Sequence, residues 1–103
     1  MRKSFNEATL ARFRQMPIEF VLARLAIHLK ADPTYAPVKN GTSRRWHVRT
    51  ACGEFELLTT GRKWWDTRAG KGGGGAIDLA MHVMELSFVE AVRLLLELER
   101  LHG

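Results

Sequence analysis

The chain has 103 residues, a formal net charge of +5 and an ordinary hydrophobic content. This length predicts a single domain, residues 1–103, and the composition excludes a disordered chain. The single cysteine, Cys52, excludes an internal disulfide and suits a reducing compartment, and with four scattered histidines it is a poor basis for a zinc site. No apolar run reaches membrane-spanning length and the first residues lack a signal peptide's apolar core, so we expect a cytoplasmic protein without membrane contact.

Two short helices are predicted at the start of the chain. Asn6 can cap the first, and Pro17 suits the first position of the second. Apolar residues recur at helical spacing through the second segment, at Ile18, Val21, Leu22 and Leu25. The next stretch, "AIHLKADPTY", is predicted to leave the helix in an extended form.

The middle of the chain predicts an antiparallel meander of three to four short strands. Asn40-Gly41 is a hairpin signal. "RRWHVRT" follows, and its alternation places Trp46 on one face and Arg45, His47 and Arg49 on the other. "EFELLTT" alternates in the same way, with Phe55 and Leu57 toward the core.

A third strand, "RKWWD", carries two adjacent tryptophans. Trp64 and Trp65 face opposite sides of the strand, so at most one of them packs into a one-sided core. The sequence leaves open which one is exposed. A surface tryptophan among arginines and lysines is typical of base stacking and also of protein interfaces.

The last third of the chain is predicted to be helical. A well-buried helix follows Gly75, and Ser87 with Glu90 fits a capping box that begins another helix. The predicted class is therefore α+β, with a small antiparallel sheet packed against N-terminal and two C-terminal helices.

Positive charge is concentrated in the middle of the chain. Residues 39–71 carry eight basic residues against three acidic ones, whereas residues 72–103 are net acidic. This asymmetry favours a polyanionic partner for the middle segment, and a solvated surface is the alternative. The eight are Lys39, Arg44, Arg45, Arg49, Arg62, Lys63, Arg68 and Lys71.

The glycine run before the buried helix allows several interpretations. It fails the Walker A pattern, and its match to G-x-G-x-x-G lacks the second parallel strand that a dinucleotide fold needs. Its amides, at the positive end of a helix dipole, could bind a phosphate with help from Arg68 and Lys71. Alternatively the glycines only permit a tight turn. The simplest interpretation of Asp78 is an acidic residue in the first turn of this helix, where the helix dipole stabilises a negative charge.

A family resemblance adds to these patterns. The segment "GGAID", followed by Ser87, Phe88, Glu90 and Ala91, resembles the end of the zinc-binding N-terminal domain of bacterial, phage and plasmid primases. The resemblance covers residues 17–96. It implies a zinc-ribbon-like fold that helps to grip template DNA.

The chain departs from that family at the zinc ligands. The family uses Cys-x-x-His and Cys-x-x-Cys pairs, but here the corresponding stretches are "PVKNG" and "DTRAGKGG", and Cys52 matches neither pair. The chain therefore resembles a zinc-less variant, as found in mobile-element replication or mobilisation proteins. Neither a metal nor another cofactor is expected, and packing would replace the metal's stabilising role.

These observations predict a non-catalytic domain that binds nucleic acid, with single-stranded DNA as the expected ligand, in plasmid, phage or integrative-element replication. The alternative is an adaptor that binds a primase, helicase or polymerase. A small enzyme that uses the glycine loop as an anion site has no catalytic constellation to support it. The candidate nucleic-acid-binding residues are Arg45, His47, Arg49, Arg62, Lys63, Trp64, Trp65, Arg68 and Lys71.

Overall fold

The computed structural model describes residues 5–36, 41 and 43–102. These residues form an α+β fold with a five-stranded antiparallel sheet, which confirms the predicted class. The helices are α1 (Glu7–Arg14), α2 (Ile18–Leu25), α3 (Gly75–Val83) and α4 (Phe88–His102). The strands are β1 (His28–Ala31), β2 (Arg44–Thr50), β3 (Gly53–Thr60), β4 (Lys63–Asp66) and β5 (Lys71–Gly74).

The sheet has more strands than the three to four that the sequence predicts. The extended segment after α2 becomes β1, where Leu29 pairs with Val48 of β2. The glycine run, predicted as a loop, becomes β5, where Gly72 pairs with Trp65 of β4. Glycine is depleted in strands, so β5 owes its conformation to pairing with β4 and not to intrinsic propensity.

The predicted helix starts are largely confirmed. The Asn6 side chain accepts a hydrogen bond of 2.7 Å from a first-turn amide of α1. The Ser87 amide donates to Glu90 Oε1 at 2.9 Å, and the Glu90 amide donates to Ser87 Oγ at 3.2 Å, which completes the capping box. Pro17 lies one position earlier than predicted, at the N-cap of α2. The predicted hairpin turn involves Asn40, which lies outside the described residues.

The five strands are neighbours in chain order, and all four helices contribute to a core on one face of the sheet. Val48 and Leu57 are buried on that face, and Trp46 and Phe55 are partly buried beside them. The predicted alternation of β2 and β3 is therefore confirmed. Trp64 of β4 is also in this core, with 4% of its surface exposed.

Gly72 is a position where the fold requires glycine. A methyl group on its Cα would lie 2.6 Å from Cε3 of Trp65 and 2.8 Å from the Trp64 carbonyl oxygen. We expect Gly72→Ala to lower the free energy of unfolding by about 1–3 kcal/mol, because β5 or the indole must move. Urea denaturation followed by tryptophan fluorescence measures this change.

Gly74→Ala is the matched control in the same strand. The nearest atom to its methyl group would be the Arg62 carbonyl oxygen at 3.7 Å, an ordinary contact. We expect this variant to stay within about 0.5 kcal/mol of the parent protein. Equal losses in the two variants would show that the clash at Trp65 is not the cause.

Candidate nucleic-acid interface

One face of the sheet is not covered by the helices, and we call it the open face. Its residues follow from the register, which pairs Arg49 with His28 and Glu54, His47 with Lys30 and Glu56, and Arg45 with Leu58. The next pairs place Trp65 and Lys63 of β4 on the same side. The open face therefore comprises His28, Lys30, Arg45, His47, Arg49, Glu54, Glu56, Leu58, Thr60, Lys63 and Trp65.

Trp65 is the exposed aromatic residue of the open face. Its surface is 46% exposed. It is paired with Leu58 on one side and Gly72 on the other, so the glycine leaves one flank of the ring free of side chains. A hollow of about 400 Å³ adjoins the ring and is also lined by Lys63. This arrangement offers a flat apolar surface next to a cation, as base stacking requires.

The cations of the open face fall into two groups. Within the described part of the chain, Arg49 and Lys63 form no ion pair. Arg45 is engaged instead, because its Nη2 donates to Glu56 Oε1 at 2.6 Å. His47 lies between two carboxylates, with Nε2 3.9 Å from Asp32 Oδ2 and Nδ1 3.8 Å from Glu56 Oε2. The free positive charge is therefore at the periphery of the face.

The two carboxylates on either side of His47, Glu56 and Asp32, are ionised at neutral pH. Hydrogen bonds from Thr67 and then from Arg45 hold the pKa of Glu56 below its usual value. Hydrogen bonds from the Thr34 side chain and amide do the same for the pKa of Asp32. A phosphate is disfavoured next to these carboxylates, whereas the N–H groups of a base are acceptable there.

Arg68 extends the positive charge along one end of the open face. It belongs to the turn between β4 and β5, and it lines a hollow of about 260 Å³ together with His28, Arg49 and Glu54. Its charge also contributes to the lowered pKa of Glu56. Arg68 is thus on the same surface as Arg49, as the hypothesis of a shared site expects.

Three of the predicted site residues do not belong to this surface. Trp64 is buried in the core, so its ring is closed to a base, and the prediction that it forms part of the site is wrong. Lys71 lines a different hollow, on the helix side, with Trp64 and His82. Arg62 also lies toward the helices, where its side chain donates to Gln15. The side-chain alternation of β4 and β5 explains all three placements.

The glycine run is not a phosphate loop in this structure. The Gly75 amide donates to the Arg62 carbonyl at 2.7 Å, and the Gly74 amide donates to Asp78 Oδ2 at 3.3 Å. The start of α3 thus has its own carboxylate, and two of its amides are already satisfied. The sheet is antiparallel throughout, so the dinucleotide interpretation also fails.

A buried Asp–His pair is a feature that sequence patterns missed. Asp66 Oδ2 lies 2.7 Å from His82 Nε2, and the His82 ring stacks on Trp64 with centroids 4.7 Å apart. Asp66 Oδ1 accepts hydrogen bonds from the amides of Arg68 and Ala69 at 2.9 and 3.0 Å. Burial alone would raise the pKa of Asp66, but these hydrogen bonds outweigh it and hold the pKa below its usual value. Asp66 therefore organises the turn between β4 and β5.

A second apolar feature lies among the helices, away from the open face. Met16, Phe20 and Val21 form one side of a hollow of about 170 Å³, and Leu95 and Leu98 form the other. The Phe20 ring is 46% exposed and is covered in part by a guanidinium group 3.6 Å from its centroid. This hollow is apolar and shallow, which suits a protein contact better than a charged ligand.

Comparison with protein-family models, with curated proteins and with solved structures gives no significant match for this chain. Among the described residues, no group of three His, Cys, Asp or Glu side chains is placed to hold a metal ion. Within the same residues, no helix has the length and apolar character needed to cross a membrane.

The Cys52 thiol donates to the Met84 carbonyl oxygen at 3.1 Å.

Proposed function

We propose that this protein is a non-catalytic module that binds single-stranded DNA on the open face. The observation that carries the proposal is the exposed indole of Trp65, next to Lys63 on a sheet face without helices. Stacking on an aromatic ring accepts any unpaired base, so sequence preference would be low. In view of the resemblance to primase zinc-binding domains, the module would serve the replication of a mobile genetic element.

The charge distribution of the open face supports a single strand over a duplex. Neighbouring strands are about 4.8 Å apart, so the three strands from β4 to β2 span the width of one or two nucleotides. Phosphates would contact Lys63 at one end and Arg49 with Arg68 at the other. Bases would lie over Trp65 and beside the carboxylate of Glu56, where a duplex would bring phosphates instead.

Fluorescence anisotropy with a labelled single-stranded oligonucleotide tests the proposal. The titration is made at low and at physiological salt, with tryptophan emission followed in parallel. We expect salt-sensitive binding with tryptophan quenching, and weaker binding of the same sequence as a duplex. Absence of binding at low salt would reject the nucleic-acid function.

Two double variants separate the open face from the helix side. We expect the double variant Arg49→Ala with Lys63→Ala to bind DNA more weakly. The slope of log affinity against log salt concentration should also become shallower, by about one for each cation that no longer contacts a phosphate. Arg62→Ala with Lys71→Ala removes the same charge from the helix side and should leave the affinity nearly unchanged. Anisotropy over a salt series measures both. Equal losses of DNA affinity in the two double variants would mean that binding depends on the net charge of the protein and not on the open face.

We also propose a structural role, and not an enzymatic one, for the Asp66–His82 pair. The pair is almost fully buried, and its carboxylate is committed to two amides of a turn. In the zinc-binding domains that the chain resembles, the corresponding segment bears a ligand pair. Asp66 would here provide the organisation that a metal provides there.

The adaptor for a primase, helicase or polymerase is the alternative function. The apolar hollow around Phe20 favours it, since exposed aromatic rings next to aliphatic side chains are typical of protein contacts. The two functions differ in one readout. An adaptor without DNA affinity predicts no anisotropy change at any salt concentration and an interaction that Phe20→Ala weakens.

A further inference from the structure

One end of the open face carries two opposite charges that do not contact each other. Arg49 of β2 and Glu54 of β3 are directly opposite in the ladder, so their Cβ atoms are about 5 Å apart. Both side chains are exposed. Within the part of the chain that the structure describes, neither forms an ion pair. The N–H groups of the guanidinium and the oxygens of the carboxylate are therefore available to a ligand.

Both side chains line the same hollow, which has a volume of about 260 Å³. Two further residues at its rim are His28, the partner of Arg49 on β1, and Arg68, from the turn before β5. Pockets that take drug-sized molecules measure about 300–1,000 Å³. The hollow therefore has room for one flat ring system and little more.

The lining selects a ring that presents hydrogen-bond acceptors and donors side by side. A guanidinium offers a fork of N–H donors, and a carboxylate offers two acceptor oxygens. Guanine has the acceptors O6 and N7 on one edge and the donors N1–H and N2–H₂ on the adjoining edge, so it matches each side chain with a pair of atoms. Cytosine matches the guanidinium through O2 and N3 but offers the carboxylate a single amino group. Adenine and thymine match neither side chain with a full pair.

We propose that the hollow between Arg49 and Glu54 binds one unpaired guanine of the single strand. Arg49 donates to O6 and N7, Glu54 accepts from N1–H and N2–H₂, and the imidazole of His28 stacks on the ring. Arg68 then retains the phosphate contact at this end of the open face. This inference rests on the proposed DNA-binding function and adds base recognition to it at a single position.

The guanine site is separate from the base that stacks on Trp65. Trp65 is opposite Leu58, which is four residues from Glu54 along β3. At about 3.4 Å per residue, the two positions are about 14 Å apart along the strand. Stacking on Trp65 accepts any base, so the guanine contact would fix the register of the DNA on the open face.

Fluorescence anisotropy with short labelled oligothymidines tests the inference. Oligo-dT is the reference, and each probe carries one central guanine, adenine, cytosine, hypoxanthine or 7-deazaguanine. We expect the guanine probe to bind at least about 5-fold more tightly than oligo-dT, because a bidentate base contact discriminates by roughly that factor or more. Hypoxanthine lacks N2–H₂ and 7-deazaguanine lacks N7, so each should lose a large part of this gain.

Two conservative variants assign the contacts to their side chains. Glu54→Gln should reduce the ratio of guanine affinity to hypoxanthine affinity, because an amide cannot accept two N–H groups side by side. Arg49→Lys keeps the positive charge but not the fork, so it should reduce the ratio of guanine affinity to 7-deazaguanine affinity. A contact between Arg49 and a phosphate would leave that ratio unchanged. Glu97→Gln on α4 removes the same charge as Glu54→Gln away from the open face and should preserve both ratios.

The outcomes distinguish this inference from the proposed function. If oligo-dT binds and guanine adds no affinity, or if neither variant reduces the gain from guanine, the guanine site is overturned and the DNA-binding function stands. If no oligonucleotide binds at low salt, the function is rejected and the guanine site with it.

Discussion

Replacement of Trp65 by alanine is expected to cause the largest loss of DNA affinity of any single change. Stacking of one base on an aromatic ring contributes about 1–3 kcal/mol, which corresponds to roughly a 5- to 150-fold loss. The tryptophan quenching that accompanies DNA binding should disappear together with the affinity, because Trp65 is the exposed indole of the open face. Anisotropy and tryptophan emission with the same oligonucleotide measure both changes.

Phe20→Ala is the matched control for Trp65→Ala. The two rings have the same exposure, 46%, but Phe20 is on α2, away from the open face. Its removal should leave DNA affinity unchanged. Trp65→Phe keeps a ring over Gly72 and should restore a large part of the affinity. If Trp65→Ala bound DNA as tightly as the parent protein, stacking on the open face would be excluded.

Replacement of Asp66 by alanine is expected to cause a large loss of stability. The change leaves the amides of Arg68 and Ala69 and the ring of His82 without their acceptor in a nearly buried site. Breaking a buried charged pair on one side costs about 3–5 kcal/mol, and partial access of water to the turn should bring the loss to about 3 kcal/mol. Urea denaturation at neutral pH measures it.

The same carboxylate predicts a pH dependence of stability. Because hydrogen bonding in the fold lowers the pKa of Asp66, its stabilising contribution is complete above the usual carboxyl range. It is lost as the pH falls through the lower pKa of the folded state. Asp66→Asn retains an acceptor for the turn amides but cannot ionise, so its unfolding free energy should fall less steeply below about pH 4. Identical acid profiles would show that Asp66 is not ionised in the fold.

Local patterns predicted the parts of the fold that depend on alternation and capping. The period of two in β2 correctly separated Trp46 and Val48 from Arg45, His47 and Arg49. The same rule required Trp64 and Trp65 to face opposite sides. It could not decide which ring is buried, because that depends on where the helices pack, and α3 and α4 come later in the chain.

The glycine run and the Asp–His pair show where local patterns fail. The strand β5 depends on pairing with β4, where Gly72 leaves room for the Trp65 ring, and this contact between strands is not visible as a local propensity. Asp66 and His82 are 16 residues apart and meet only after β5 and α3 are in place. The carboxylates of Asp32 and Glu56, which neutralise part of the open face, likewise depend on the pairing of separate segments.

The order of strands in the sheet has a consequence for how the chain folds. Each strand pairs with the next one along the chain, and the connections from β2 to β5 are short, so these ladders form with a small entropic cost. The turns between β2 and β3 and between β3 and β4 each have only two residues, but the β2–β3 ladder is the longer of the two, so this hairpin is the easiest pairing to form. We expect rapid folding that begins at this hairpin and extends strand by strand to β5, whose glycines gain their order last.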